Sequence, residues 1–142
     1  MLYKDFLATM TACPFCEGQP RVLDENELAH TTYALAPYHK YHLLVIPKRH
    51  VVGILDVTPE ERAAIDALVV RAVQTLDTLK QDHISVLVRD GRADGFSKSV
   101  DHLHYHVVPK IRLGDVDHLG NDREVISGEE EVALMGELET LF

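Results

Sequence analysis

The chain has 142 residues, of which 46% are hydrophobic and 26% are charged, and its formal net charge is -9 at pH 7. These values predict one globular domain over residues 1–142 with enough apolar residues to bury a core. The net negative charge excludes non-specific binding to nucleic acid or to anionic lipid, because both ligands require a basic protein surface. No apolar run approaches a membrane span and the first residues lack the apolar core of a signal peptide, which predicts a cytoplasmic protein.

The first third of the chain carries strand signals. Residues 1–20 are predicted to be irregular because Pro14 and Pro20 interrupt them. Strands are predicted over 21–23, 28–36 and 41–46, the last two ended by prolines. Closely spaced strands with no helix between them indicate an antiparallel meander.

The remainder begins with the clearest helix. Thr58 is a good N-cap, Pro59 suits the first helical position and Glu61 completes a capping box. The apolar stripe that follows to about residue 80 consists of Ile65, Leu68, Val69, Ala72, Leu76 and Leu79.

After this helix the patterns predict strands over 83–89 and 102–110, separated by a loop rich in Gly, Asp and Ser. An irregular connection over 113–128 then leads to a short acidic helix over 129–141. The fold class is therefore α+β, with an antiparallel sheet of about five strands, one long helix and a C-terminal helix.

The two cysteines, Cys13 and Cys16, lie in Cys-Pro-Phe-Cys. A disulfide scaffold does not suit a reducing cytosol, so the pair is left as a metal site, a redox pair or two packed thiols. A redox pair normally opens a helix after a strand, and no strand precedes Cys13. The metal interpretation needs two further ligands.

Three histidines, His102, His104 and His106, alternate with apolar residues near the end of the chain. On a strand they project from one face, where imidazoles supply nucleophile, acid–base and metal-ligand chemistry. The alternative is a solvated polar face, but such faces normally use Lys, Thr, Glu or Ser. The pattern therefore predicts that the functional site lies here.

This motif resembles the signature of the histidine triad (HIT) family. The segment 41–50, Tyr-His-Leu-Leu-Val-Ile-Pro-Lys-Arg-His, is similar to the family's Gly-His strand that ends in Ile-Pro-Lys-x-His. The Cys-Pro-Phe-Cys is similar to the family's metal-binding branch. The three blocks stand in family order over roughly residues 13–110. The resemblance implies the HIT-like fold and a homodimer in which two small antiparallel sheets join.

The resemblance also implies the chemistry. Family members hydrolyse or transfer nucleoside monophosphates, which assigns His104 as the nucleophile that forms a nucleotidyl-histidine intermediate. His106 would hydrogen-bond phosphate oxygens and assist proton transfer, and His42 would also line the catalytic site. The phosphate- and substrate-binding residues predicted beside His106 are Ser97, Lys98 and Ser99, which stand where the family usually has Gly-Gln-Ser. Of these, the resemblance places the Ser99 hydroxyl near the leaving group.

For the metal, the resemblance implies a Cys2His2 site made of Cys13, Cys16, His50 and His102. Four protein ligands leave no open position, so the ion would be a structural zinc. An ion held by all three triad histidines is excluded on geometry, because alternate residues of one strand do not surround one ion.

Three positions depart from the family pattern. Ala34 stands where an Asp or Asn usually holds the ribose hydroxyls, and Lys98 stands where a Gln is usual. Arg89 occupies a place where Asn is often found. Ala34 predicts weak ribose recognition, and Lys98 favours phosphate-rich substrates.

The predicted function is a hydrolase of nucleoside-monophosphate linkages, either phosphoramidates or dinucleoside polyphosphates, with a small nucleotide as its binding partner. One alternative is a nucleotidyltransferase or phosphorylase that uses phosphate or a sugar phosphate as acceptor. Another is a weakly catalytic nucleotide-binding module, which Ala34 and the missing Gln would suit.

Overall fold

The computed structural model describes residues 2–17, 22–91, 100–111 and 125–141. The chain divides into two compact units, Met1–Arg112 and Leu113–Phe142. The first unit contains the sheet and the histidine motif. The single-domain organisation over 1–142 stays a prediction.

The first unit is built on a five-stranded antiparallel sheet, as expected. Its strands run in the order β1-β2-β3-β5-β4, so the first three form a meander and β5 lies between β3 and β4. The strands are β1 Val22–Glu25, β2 Ala29–Tyr33, β3 Leu43–Pro47, β4 Ile84–Val88 and β5 Tyr105–Pro109.

One face of this sheet is covered by the long helix α2, Pro59–Thr78. The predicted capping box is present: the Thr58 side chain accepts from the Glu61 backbone at 3.1 Å, and the Glu61 carboxylate accepts from the Thr58 backbone at 3.1 Å. The predicted apolar stripe is confirmed in its central part. Burial of these side chains is what drives the packing of the helix onto the sheet. Its buried members are Ile65, Leu68, Ala72 and Leu76, which pack against Leu43, Val45 and Val107.

The amino-terminal segment differs from the expectation of irregular structure. A two-turn helix, α1, spans Tyr3–Ala8. Its N-cap residue is Leu2, whose side chain cannot accept a hydrogen bond, so the sequence lacks the capping signal that marks α2. A 3-10 turn at Ile54–Asp56 also joins β3 to α2.

The histidine motif is only partly a strand, which corrects the prediction of a strand over 102–110. The ladder between β3 and β5 ends at the pair Val45 and Tyr105, so His102 and His104 precede the strand. The backbone there bonds elsewhere: the Leu103 N–H donates to the Val51 carbonyl at 2.7 Å. The strict alternation of the three rings on one strand is therefore lost.

The second unit contains the helix α3, Gly128–Glu139, close to the predicted range. Ser127 caps it by accepting from the Glu130 backbone at 3.1 Å. Its apolar residues are exposed, namely Val132, Leu134, Met135 and Leu138. Of the helices in the described part of the chain, none is long and apolar enough to span a membrane.

Candidate active site and metal centre

The candidate site lies on the sheet face opposite α2. His106 is in β5 beside Leu44 of β3, and His42 directly precedes β3. Tyr105 and Val107, whose side chains point the other way, pack towards α2. His42, His104 and His106 are each at most 8% exposed, so the rings are held in a largely water-excluded setting.

His42 and His106 form a hydrogen-bonded pair whose proton positions follow from a backbone donor. The Tyr38 backbone N–H donates to His42 Nδ1 at 3.1 Å, so that nitrogen carries the lone pair. His42 Nε2 therefore carries the proton and donates to His106 Nδ1 at 2.9 Å. Consequently the neutral His106 ring carries its own proton on Nε2, where it can act as a hydrogen-bond donor.

His104 has the opposite arrangement. Its Nδ1 lies 2.7 Å from the His102 backbone carbonyl, which can only accept, so Nδ1 carries the proton. In the neutral ring the lone pair is then on Nε2. The His104 and His106 ring centres are 4.9 Å apart, which places a nucleophilic nitrogen beside a hydrogen-bond donor.

Burial keeps both rings of the pair neutral. It lowers the pKa of His42 to about 4 and that of His106 to about 3, and the nearby charges of His104 and Arg89 lower both further. The proton arrangement described above therefore holds at neutral pH.

His102 turns away from the other two rings and joins the cysteine pair. Its Nε2 donates to the Pro47 carbonyl at 2.9 Å, which leaves the lone pair on Nδ1. Burial also lowers its pKa to about 4, which keeps the ring neutral as a ligand must be. His102 Nδ1 lies 3.1 Å from His50 Nδ1 and 3.4 Å from Cys16 Sγ.

The four residues expected to bind metal come together. One ligand atom from each of Cys13, Cys16, His50 and His102 lies within 4.8 Å of all the others. The neighbouring donor pairs are 3.1–3.5 Å apart. Tetrahedral coordination with metal bonds of about 2.0–2.3 Å needs donor atoms roughly 3.3–3.8 Å apart. The cluster therefore fits a single metal ion with small adjustments.

Two aromatic residues at the site were not anticipated from the sequence. Phe15 packs edge-on against His102 and His104, with ring centres 5.9 and 5.1 Å away. Tyr38 stacks on His42 and His106, at 5.0 and 5.8 Å. The only sequence signals were Phe15 between the cysteines and Tyr38 in the turn before His42, and neither specifies a ring contact.

The other predicted positions divide into two groups. Ser97, Lys98 and Ser99 lie outside the described residues. Ala34 is 5% exposed and packs with Phe15 and Leu44, so it presents a methyl group in an apolar cluster.

The model of the HIT domain family matches residues 17–113 of this sequence. Among curated proteins, the adenosine 5′-monophosphoramidase of Schizosaccharomyces pombe is 32% identical over 104 residues, covering 70% of this chain and 74% of that protein. The AP-4-A phosphorylase of Mycobacterium tuberculosis is 33% identical over 107 residues, 70% of this chain but only 54% of that protein. The bis(5′-adenosyl)-triphosphatase of Dictyostelium discoideum is 29% identical over 140 residues, covering 91% of this chain and 90% of that protein.

Solved structures share the fold. A member of the HIT family from Bacillus subtilis superposes with a TM-score of 0.66 at 19% identity, covering 99% of this chain and 96% of that one. A HIT family protein from Bacillus anthracis gives a TM-score of 0.65 at 21% identity, covering 99% of this chain and 93% of that one. The expected fold is thereby confirmed.

Proposed function

Because this chain belongs to the HIT domain family, we propose that it is an enzyme that cleaves nucleoside-monophosphate linkages through a nucleotidyl intermediate on His104. The observation that carries this proposal is the bond from His104 Nδ1 to the His102 carbonyl, since it leaves Nε2 as the nucleophilic nitrogen. The named relatives support the substrate class, because they act on AMP phosphoramidate or adenosine polyphosphates.

The reaction has two displacements. In the first, the His104 Nε2 lone pair forms a bond to the α-phosphorus while the bond from phosphorus to the leaving group breaks. The leaving group keeps that electron pair: a phosphate leaves as the anion, and an amine takes up a proton from solvent as it leaves. The His106 Nε2–H donates to a phosphoryl oxygen as negative charge develops. In the second, a water oxygen bonds to phosphorus, the electron pair of the phosphorus–nitrogen bond returns to Nε2, and a water proton passes to solvent.

The test of this mechanism is the variant His104→Ala. We expect its kcat/KM on adenosine 5′-phosphoramidate to fall at least about 1,000-fold, because no other group stands at that position. Intact-mass measurement after an acid-free quench should show a nucleotidyl adduct on the wild type and none on the variant. Retention of a tenth of the wild-type rate would exclude His104 as the nucleophile.

A second candidate is transfer to phosphate, favoured by the similarity to AP-4-A phosphorylase. Phosphate would then replace water in the second displacement. Diadenosine tetraphosphate incubated with inorganic phosphate should in that case give ADP and ATP, whereas hydrolysis gives AMP and ATP. Product analysis with and without phosphate separates the two reactions.

The cluster of Cys13, Cys16, His50 and His102 is proposed to hold one structural zinc ion. Two thiolates and two neutral imidazoles are a donor set typical of closed, four-coordinate zinc. When bound, the ion supplies no reacting position but fixes His102, whose carbonyl orients His104.

The proposal also covers the substrate-binding residues, the oligomeric state and the cellular location. Ser97, Lys98 and Ser99 are proposed to bind substrate phosphate. A homodimer is supported by β4, which lies at the edge of the sheet and pairs only with β5 among the described strands. Light scattering should then give twice the 16.0 kDa chain mass. The cytoplasmic location stays a prediction.

A further inference from the structure

Arg89 places a positive charge beside the histidine pair. It directly follows β4, and its Nη1 donates to Tyr38 Oη at 3.3 Å. Within residues 2–17, 22–91, 100–111 and 125–141, no carboxylate forms an ion pair with this guanidinium. A guanidinium has five N–H donors, so most of its hydrogen-bonding capacity is available to another group.

Tyr38 connects this charge to the proposed catalytic rings. The guanidinium carbon lies 5.9 Å from the centre of the Tyr38 ring. The same ring is nearly parallel to those of His42 and His106, with interplanar angles of 22° and 21°. Because Tyr38 is also held by its backbone bond to His42, the guanidinium lies at a defined position next to the pair.

The backbone on the other side of Arg89 is fixed as well. Asp90 Oδ1 accepts from the Ile54 backbone at 2.7 Å. A Cβ on Gly53 would come within 2.9 Å of the same oxygen, so a glycine is what permits this close approach. The residue next to Arg89 is therefore tied to the start of the 3-10 turn, which limits where the guanidinium can move.

The proposed function supplies the anion that these residues fit. On that basis, we propose that Arg89 and Tyr38 form a binding site for the phosphate adjacent to the one that His104 attacks. A guanidinium binds two phosphate oxygens at once, with a charge-assisted bond to each. Tyr38 Oη accepts from Arg89, so its own hydrogen can be donated to the same phosphate.

This site predicts the preferred substrate class. In a nucleoside polyphosphate the adjacent group is a phosphate, which the site stabilises as charge moves onto it during bond cleavage. In a phosphoramidate the adjacent group is a neutral amine, which the Arg89 guanidinium does not stabilise. An incoming inorganic phosphate would occupy the same place after the leaving group departs.

The test is the ratio of kcat/KM on diadenosine triphosphate to kcat/KM on adenosine 5′-phosphoramidate. We expect Arg89→Gln to lower this ratio about 30-fold and Tyr38→Phe to lower it about 3-fold. Arg89→Lys should recover part of the loss, because it restores the charge without the two-pronged geometry. Arg62→Gln, which removes an exposed arginine of α2, is the matched control and should leave the ratio unchanged.

A second arm separates an entering phosphate from a leaving one. With diadenosine tetraphosphate, which hydrolysis converts to AMP and ATP, adding inorganic phosphate should produce ADP in the wild type, and Arg89→Gln should raise the phosphate concentration needed for half-maximal ADP formation about 10-fold. A shift in the substrate ratio without ADP formation assigns the site to the leaving phosphate alone. An unchanged ratio in Arg89→Gln overturns the proposal, as does an equal loss on both substrates.

Binding gives a readout that does not depend on catalysis. In His104→Ala protein, calorimetry should show ADP binding about 10-fold more tightly than AMP, and Arg89→Gln should abolish that difference. Equal affinities for ADP and AMP before the substitution overturn the site even if the enzyme is active. A wild type inactive on both substrates that still prefers ADP overturns the proposed function and leaves the phosphate site standing.

Discussion

At the residue scale, each of the rings of His102, His104 and His106 has its proton position set by a different hydrogen-bond partner. His102 and His104 each donate to a backbone carbonyl, but from opposite ring nitrogens, Nε2 and Nδ1. His106 accepts from His42 instead. These partners suit the three rings to the three roles proposed for them, metal binding, attack on phosphorus and hydrogen-bond donation, although all three residues have the same side chain.

The buried pair predicts a pH dependence of stability. The pKa values of His42 and His106 lie well below the usual 6.5, so below pH 6.5 the unfolded chain binds more protons than the folded one. The contribution of this pair to stability is therefore constant well above that pH and falls as the pH drops from about 6.5 towards 4. Each histidine contributes a slope of about 1.4 kcal/mol per pH unit when fully engaged.

The measurement is urea unfolding between pH 7 and 5. His106→Asn should reduce the pH slope of the unfolding free energy by about one histidine, roughly 1.4 kcal/mol per pH unit. Comparing the variant with the wild type at each pH cancels the contribution of the carboxylates, because both proteins contain the same ones. A variant slope equal to that of the wild type would contradict the neutral state of the pair.

Ala34 predicts weak selection for ribose. Its buried methyl group cannot accept a hydrogen bond, so a substrate that lacks the 2′-hydroxyl leaves no polar group unpaired at this position. We expect kcat/KM on adenosine 5′-phosphoramidate to exceed that on its 2′-deoxy analogue by less than about tenfold. Ala34→Asp should raise this ratio, and its melting temperature should be measured alongside because the position lies in an apolar cluster. A native preference above about 100-fold would show that another residue reads the ribose.

At the element scale, the end of α2 stores backbone strain. Lys80 has φ +61°, and bonds from Lys80 N–H to the Asp77 carbonyl and from Gln81 N–H to the Leu76 carbonyl complete a Schellman motif around it. This left-handed conformation costs a residue with a Cβ about 1 kcal/mol relative to glycine.

Lys80→Gly should therefore raise the unfolding free energy by about 1 kcal/mol, measured by urea denaturation. Lys80→Ala is the matched control, because it removes the same side chain but keeps the Cβ that causes the strain. An equal gain in both variants would assign the effect to the lysine side chain instead.

Elements with strong local signals were predictable and those without them were not. The capping box at Thr58 and the apolar stripe of α2 are local patterns, and the helix begins where they indicate. The helix α1 lacks a capping side chain, and Tyr41 takes φ +68°, so β3 begins only at Leu43. The β3–β5 ladder does not extend back to Leu103, because the Leu103 N–H donates to the Val51 carbonyl instead. Val51 is distant in sequence, so no local pattern predicts this bond.

The same distinction applies to the candidate site. The motif resemblance predicted which residues meet, and the structure brings His42 to His106 and His50 to His102 across 64 and 52 residues. It did not predict which ring nitrogens face one another, because these depend on backbone carbonyls placed by the fold. Nor did it predict that Tyr38 joins Arg89 to the histidine pair, since stacking depends on the turn before β3.

At the scale of the whole first unit, the proposed metal site brings together three distant chain segments. The cysteine pair lies between α1 and β1, His50 follows β3 and His102 precedes β5, with 34 residues from Cys16 to His50 and 52 from His50 to His102. An ion bound only in the folded state stabilises it by mass action, and it also closes two long loops. Metal binding should therefore contribute to global stability as well as to the local order of the site.

Purified protein should accordingly contain about one zinc per chain by elemental analysis. Cys13→Ser/Cys16→Ser should lose the metal, and its unfolding free energy should fall by about 3 kcal/mol or more, because removing two of four ligands abolishes a closed site. Excess EDTA serves as the control: it should lower the wild type towards the stability of the variant and leave the variant unchanged. Because the ion fixes His102 and the His102 carbonyl orients His104, the metal-free protein should also lose kcat before it unfolds. Zinc content or stability that is indifferent to the two serine substitutions would remove this role from the cluster.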